Sequence, residues 1–145
     1  MKEEFIEYLK SIGIAVALFK KIDAIYELYK ELYPDEIMDI FITDYIKEDG
    51  SREYENLWFF SEKTCMEAKQ FITKEDFDII RIKKRVNIWN IRKHNYDFKK
   101  AIDTSRLFLR VNFDIDVDGE LKAAKNNCDN LRKIILKYIV PNLKE

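Results

Sequence analysis

From Arg106 to Val117 the chain alternates without a break, with Leu107, Leu109, Val111, Phe113, Ile115 and Val117 on one side and Arg106, Phe108, Arg110, Asn112, Asp114 and Asp116 on the other. Successive side chains of a strand point to opposite faces, so this stretch reads as a long strand with one buried face. Asp118-Gly119 then supplies a turn, because glycine takes positive φ without a Cβ penalty. A two-residue loop there would put Leu121 among the aspartates; a three-residue loop, Val117 to Gly119, sets Leu121 beside Ile115 and Ala123 beside Phe113. After Lys125 the period turns helical through Cys128, Leu131, Ile135 and Tyr138, with Asn126 or Asn127 as N-cap and Pro141 as the stop. A helix that follows a strand this closely is expected to pack back across the same sheet.

The N-terminal third has a different period. Phe5, Tyr8, Ile12, Ala15, Phe19, Ile22, Tyr26, Tyr29 and Tyr33 are spaced by threes and fours until Pro34 ends the pattern. One long helix, or two with a break near Gly13, would present that stripe, and Ile14, Leu18, Ile25, Leu28 and Leu32 widen it. A wide stripe suits packing on a sheet within the chain; self-association through the N-terminal helix is the competing expectation.

Between these ends the signal is for strands. Ile37 to Lys47 and Arg52 to Ser61 are aromatic and β-branched runs joined by Glu48-Asp49-Gly50-Ser51, a hairpin. Thr64 to Phe71 reads as a short strand or a helical turn. Phe77 to Ile82 and Val86 to Arg92 flank Lys83-Lys84-Arg85 as a second hairpin, and Asn95 to Thr104 reads as a connection with a helical turn. Leu57-Trp58-Phe59-Phe60 puts large apolar groups on both faces of one strand, so that hairpin needs cover on both sides. The expected fold is α+β in a single domain, 1–145: a helical segment over 1–33, a strongly curved antiparallel sheet or barrel of six or seven strands over 37–125, and a closing helix over 126–140. That order resembles the layout of pleckstrin-homology-like barrels, a likeness of arrangement that implies no function.

Only 3 Gly and 2 Pro interrupt the 145 residues, so no linker is expected. No apolar run approaches the ~20 residues of a membrane span, and Met-Lys-Glu-Glu is unlike a signal peptide; the expectation is a cytoplasmic protein without a membrane partner. Cys65 and Cys128 are far apart and read as buried thiols, while His94, the sole histidine, excludes multi-histidine metal sites. No cofactor is expected.

Several residues are candidates for function. Charge is uneven: Arg81 to Lys100 holds Arg81, Lys83, Lys84, Arg85, Arg92, Lys93, Lys99 and Lys100 against Asp97, a basic segment suited to an acidic partner unless neighbouring strands neutralise it. Arg106, Phe108 and Arg110 form a ligand or partner face, since an aromatic between two arginines combines residue types enriched in binding hot spots. The favoured expectation for Phe108 is nonetheless structural: the N-terminal helix, whose wide apolar stripe needs a cover, packs over it as part of a second core layer. Asp114-Ile-Asp116-Val-Asp118-Gly119 resembles the opening of a calcium-binding EF-hand loop, but Lys125 stands where that loop needs its bidentate glutamate, so an acidic solvent face is expected instead of a metal site. Glu67-Ala68-Lys69 resembles the E-x-K half of the PD-(D/E)xK nuclease motif, which implies Mg²⁺ held by carboxylates, with Asp35 of Pro34-Asp35 as the upstream acid. The expected function is a non-catalytic binding or assembly module, and the alternative is that nuclease, using Asp35, Glu67 and Lys69.

Overall fold

The computed structural model describes residues 1–83, 86–94, 105–113 and 117–143. Two helices open the chain, α1 (Glu3–Ser11) and α2 (Phe19–Leu32), joined through Gly13 and a short 3-10 turn at Val16–Leu18. The break falls where the sequence places it. Gly13 has φ +84°, and a Cβ there would stand 3.0 Å from the Tyr54 hydroxyl, so both backbone conformation and space select glycine. Glu3 and Glu4 in the first turn of α1 and Lys10 in its last complement the helix dipole.

Seven strands follow: β1 (Asp39–Ile46), β2 (Arg52–Phe60), β3 (Thr64–Ala68), β4 (Ile79–Lys83), β5 (Val86–His94), β6 (Arg106–Phe113) and β7 (Val117–Ala124). They form two antiparallel sheets, the first ordered β1-β2-β3-β4 and the second β5-β6-β7. Among the described residues no ladder joins the two, so the single sheet expected from the sequence is divided. Helix α3 (Asn127–Ile134) continues through a π-helical turn, Ile135–Ile139, into a 3-10 turn that contains Pro141.

The first sheet is covered on both faces. Ile40, Ile42, Leu57, Phe59, Met66 and Ala68 meet Phe5, Leu9, Ile12, Ile22, Ile25, Tyr26 and Tyr29 of the helices and their connection. Phe41, Trp58, Phe60, Cys65 and Ile82 point the other way, into a second core shared with Leu107, Leu109, Val111, Phe113 and Leu121 of the second sheet and with Cys128, Leu131 and Tyr138 beyond it. The alternation within Leu57-Trp58-Phe59-Phe60 therefore feeds two cores in turn. The helical stripe is largely spent on the first sheet, with Leu28 and Leu32 left exposed.

Three expectations are corrected. The hairpin of β6 and β7 pairs Phe113 with Val117, Val111 with Gly119, Leu109 with Leu121 and Leu107 with Ala123, so Leu121 does not reach Ile115 and Ala123 does not lie beside Phe113. Asp118-Gly119 is inside β7 rather than the turn. A Cβ at Gly119 would come within 2.6 Å of Phe113 Cε2 and 3.2 Å of Trp58 Cη2, so this glycine makes room for two aromatic rings. Secondly, β4 pairs with β3 and β5 with β6, so the two strands flanking Lys83-Lys84-Arg85 do not form a hairpin with each other; Lys84 and Arg85 lie outside the described residues. Thirdly, the N-terminal helices pack on the first sheet, and Phe108 joins neither core and remains half-buried. Asn95 to Thr104 lies outside the described residues. Among the described residues no helix is long and apolar enough to cross a membrane.

A polar cluster ties the layers together. A bulge between Ile42 and Asp44 breaks the β1–β2 register and turns backbone groups of β1 outward from the ladder. Asn127 donates to the Ile42 carbonyl at 2.8 Å and to Asp44 Oδ1 at 2.8 Å; the Tyr8 hydroxyl donates to Asn127 Oδ1 at 2.9 Å and accepts from the Ile42 amide at 3.0 Å. Asp44 also accepts from Arg52 Nε at 2.5 Å and from the Ala124 amide at 3.0 Å. Asn126 occupies the N-cap of α3, but its side chain donates to the Ser11 carbonyl at 2.7 Å instead of capping the helix.

Candidate functional site

The antiparallel register of the second sheet brings Arg92 and Lys93 of the sequence-predicted basic segment together with part of the predicted ligand face, whereas Arg81 of that segment pairs with Asp35 and Lys84, Arg85, Lys99 and Lys100 lie outside the described residues. Arg92 of β5 lies opposite Phe108 of β6, His94 opposite Arg106, and Phe108 opposite Lys122 of β7. Directly opposed residues of an antiparallel pair share a face, so Arg92, Phe108 and Lys122 form a row across the sheet, on the side away from the core residues Leu107 and Leu109. A cleft of about 380 Å³ opens where β5, β7 and β1 end and β6 begins, lined by these side chains with Lys93, Tyr45 and Ile46.

The cleft is strongly cationic. Lys122 is partly neutralised by Glu55 at 3.6 Å, and its ammonium lies 5.3 Å from the centre of the Tyr45 ring. Asp44, the acid in the wall, is fully buried and engaged by Arg52, Asn127 and Ala124; burial pushes its carboxyl up, against the pull of those bonds. Tyr45 donates to Glu53 Oε2 at 2.7 Å, and that bond with desolvation pushes its hydroxyl up to about 12, so it stays protonated. Among the described residues no carboxylate forms an ion pair with Arg92, Lys93 or Arg106. Among the described residues Arg92 and Arg106, on the face of the half-buried Phe108 ring, and Lys93, which lines the cleft from the opposite face of β5, thus have no carboxylate partner. Arg110, the third member of the predicted face, is not part of this cleft and pairs with Glu120 at 3.4 Å.

The E-x-K pair lies elsewhere. Glu67 and Lys69 line a second cleft, of about 390 Å³, with Glu55, Asp118 and Glu120. Glu67 is opposite Trp58 in the ladder and 3 % exposed, and desolvation pushes its carboxyl up to about 7, the Lys69 ammonium at 3.9 Å opposing the shift. Asp35 does not join them. It accepts from Thr64 Oγ1 at 2.7 Å and from Arg81 Nη2 at 2.7 Å, at the opposite end of β3, and these partners hold its carboxyl below the usual carboxylate range. Asp118 is in the Glu67 cleft and accepts from Asn112 Nδ2 at 3.0 Å, whereas Asp114 and Asp116 lie outside the described residues. Among the described residues no three His, Cys, Asp or Glu side chains gather as metal ligands. Both cysteines are buried and free, and burial pushes the Cys128 thiol up to about 12, so it carries no thiolate at neutral pH.

Sequence reasoning missed Lys122, which only the register brings to Phe108, and the cluster around Asp44. The signal for the latter was a carboxylate inside Ile40-Phe-Ile-Thr-Asp44-Tyr-Ile46, since a charge in an apolar strand needs partners from other elements. Protein-family models, curated proteins and solved structures return no match to this chain.

Proposed function

We propose that the protein is a non-catalytic binding module that takes an acidic partner in the cleft between β5 and β1. The observation that carries this reading is the pair Arg92 and Arg106, without a carboxylate partner among the described residues and on the same face as Phe108, with Lys93 lining the same cleft. Arginine presents a planar fork to carboxylate, and an aromatic floor beside it accepts the apolar part of the same ligand. A neutral ligand would leave the like charges facing one another, whereas an anion relieves their repulsion. The nuclease alternative is less supported, because Glu67 and Lys69 share a cleft without Asp35.

The test is fluorescence anisotropy with a labelled acidic peptide carrying aliphatic residues. Binding to the parent is expected to weaken with added salt, because exposed charges are screened. Arg92→Glu with Arg106→Glu is expected to weaken it about a hundredfold, two reversals at roughly tenfold each. Phe108→Ala is expected to weaken binding while costing only about 1 kcal/mol of stability, since its ring is half-buried. A doubly reversed variant that binds like the parent, with its melting unchanged, overturns the proposal.

A further inference from the structure

The second sheet ends on β5, and among the described residues no strand pairs with the side of β5 away from β6. β6 occupies the other side from Val86, opposite Phe113, to His94, opposite Arg106. On the open side the described residues supply a single contact, a parallel bridge between Val86 and Leu143. That bridge shows the edge accepting a second backbone at its start. Along the core-facing row of β5 burial then falls in steps: Val86 is fully buried, Ile88 half-buried, Ile91 41 % exposed and Lys93 exposed, although their partners on β6, Phe113, Val111, Leu109 and Leu107, are all buried. The change follows a bulge between Ile88 and Asn90, and a bulge re-aims the residues after it. From Asn90 to His94 every side chain is exposed, so this half of β5 offers two faces and an edge at once.

We infer that Asn90–Lys93 receives the acidic partner as an added strand. An unpaired edge presents a row of amide and carbonyl groups in strand register, which an extended segment can satisfy without any other change. The side chains specify what the segment carries. Ile91, on the core-facing row, gains cover only from an aliphatic residue on the same face, and Arg92, on the opposite face beside Phe108 and Arg106, calls for a carboxylate. Successive residues of a strand alternate between faces, so the fitting partner alternates aliphatic and acidic residues. A second copy of β5 is the wrong occupant, because its Arg92 and Lys93 would bring like charges together across the new ladder. A helix or a free anion meets the arginines but leaves the edge amides and Ile91 as they are.

This inference rests on the cleft reading above and is separable from it. The probe is a short peptide alternating glutamate and isoleucine, compared with the same peptide N-methylated at alternate backbone positions, which keeps the charges and removes strand pairing. The expected result is that N-methylation weakens binding at least about tenfold, that the β5 amides facing away from β6 exchange more slowly in the complex, and that Ile91→Ser weakens binding severalfold. If both peptides bind equally and those amides stay unprotected while Arg92→Glu weakens binding about tenfold, strand addition is overturned and the anion cleft stands. If Arg92→Glu leaves binding unchanged, the cleft reading falls, and strand addition with it. No binding of either peptide to the parent overturns both. Arg92 and Ile91 are exposed, so loss of fold is not expected to confound these variants, and their melting curves check it.

Discussion

Replacing Glu67 by glutamine is expected to change how stability depends on pH, and the structure sets both sign and size. Glu67 is central in β3, between Trp58 of β2 and Ile80 of β4, and almost wholly removed from solvent. Desolvation pushes its carboxyl from 4.5 up to about 7; Lys69 works against this, while Glu55 and Glu120 add to it. A carboxyl whose folded value is raised favours the folded state when protonated. Its contribution is therefore intact below the unfolded value near 4.5, declines as pH rises to about 7 and is gone above that. Since each tenfold in proton affinity is worth about 1.4 kcal/mol, the loss by pH 8 is on the order of 3 kcal/mol. Glutamine keeps the shape and cannot ionise. In urea titrations the variant is expected to match the parent within about 0.5 kcal/mol at pH 4 and to exceed it by up to about 3 kcal/mol at pH 8, with unchanged m values. Groups such as Asp35 titrate in both proteins and cancel in the difference. A parent–variant difference that is flat between pH 4 and pH 8, or a variant less stable than the parent at pH 8, refutes the argument.

Two further substitutions test how the layers are held. Gly119→Ala is expected to cost about 2 kcal/mol, because the new Cβ meets the Phe113 ring edge at 2.6 Å in a core with no room to move; Gly119→Asn, which a turn with positive φ tolerates, is expected to cost more, and a neutral asparagine in urea denaturation would restore the turn assignment. Asn127→Ala is expected to cost about 3 kcal/mol, since it removes a donor from the buried Asp44 carboxylate, the donor to the Ile42 carbonyl and the acceptor of the Tyr8 hydroxyl at once; a loss below about 1 kcal/mol by the same assay would show that the cluster is not what joins helices to sheets.

What could be read from the sequence was what side-chain periodicity encodes. The alternation over Arg106–Phe113, the two-sided apolar run in β2 and the helical stripe broken at Gly13 each appear at the expected place, although the expected strand ran on to Val117, which instead opens β7 opposite Phe113. So does the first hairpin, where Gly50 has φ +85° and Asp49 accepts from the Ser51 amide at 2.9 Å. Periodicity is blind to partner choice. The β6–β7 ladder is displaced by an even number of residues from the expected register, which keeps every side chain on its face, so the apolar pattern fits both registers equally. The transfer of the chain between sheets after Lys83 is likewise invisible, because β4 and β5 look the same whether they pair with each other or with β3 and β6. The basic segment and the Arg106–Phe108 pair were both legible, but as separate features; that they form one cleft depends on Arg92 standing opposite Phe108. Arg110 was included because it follows the same alternation, and it is lost to Glu120, which that alternation cannot see.

The two cores also bear on where a partner can bind. Among the described residues both faces of the first sheet are largely committed, one to the N-terminal helices and one to the second sheet. The second sheet spends only one face on the core, and its other face carries Arg92, Arg106, Phe108 and Lys122. Charge on that face is no cost to folding, because it needs no burial, yet it is held in register by a ladder whose inner row, Leu107, Leu109, Val111 and Phe113, is fully packed. Rigidity comes from the buried row and chemistry from the exposed one, and in a strand the two are one residue apart. A substitution such as Val111→Asp, which buries an unpaired charge in that inner row, should therefore abolish binding only by unfolding the chain, whereas Arg92→Glu should weaken it about tenfold with the fold intact. Binding and melting measured on the same two variants separate the roles: loss of binding by a Val111→Asp protein that still melts like the parent would mean that the inner row does not carry the fold, and the assignment of the outer row to recognition would lose its basis.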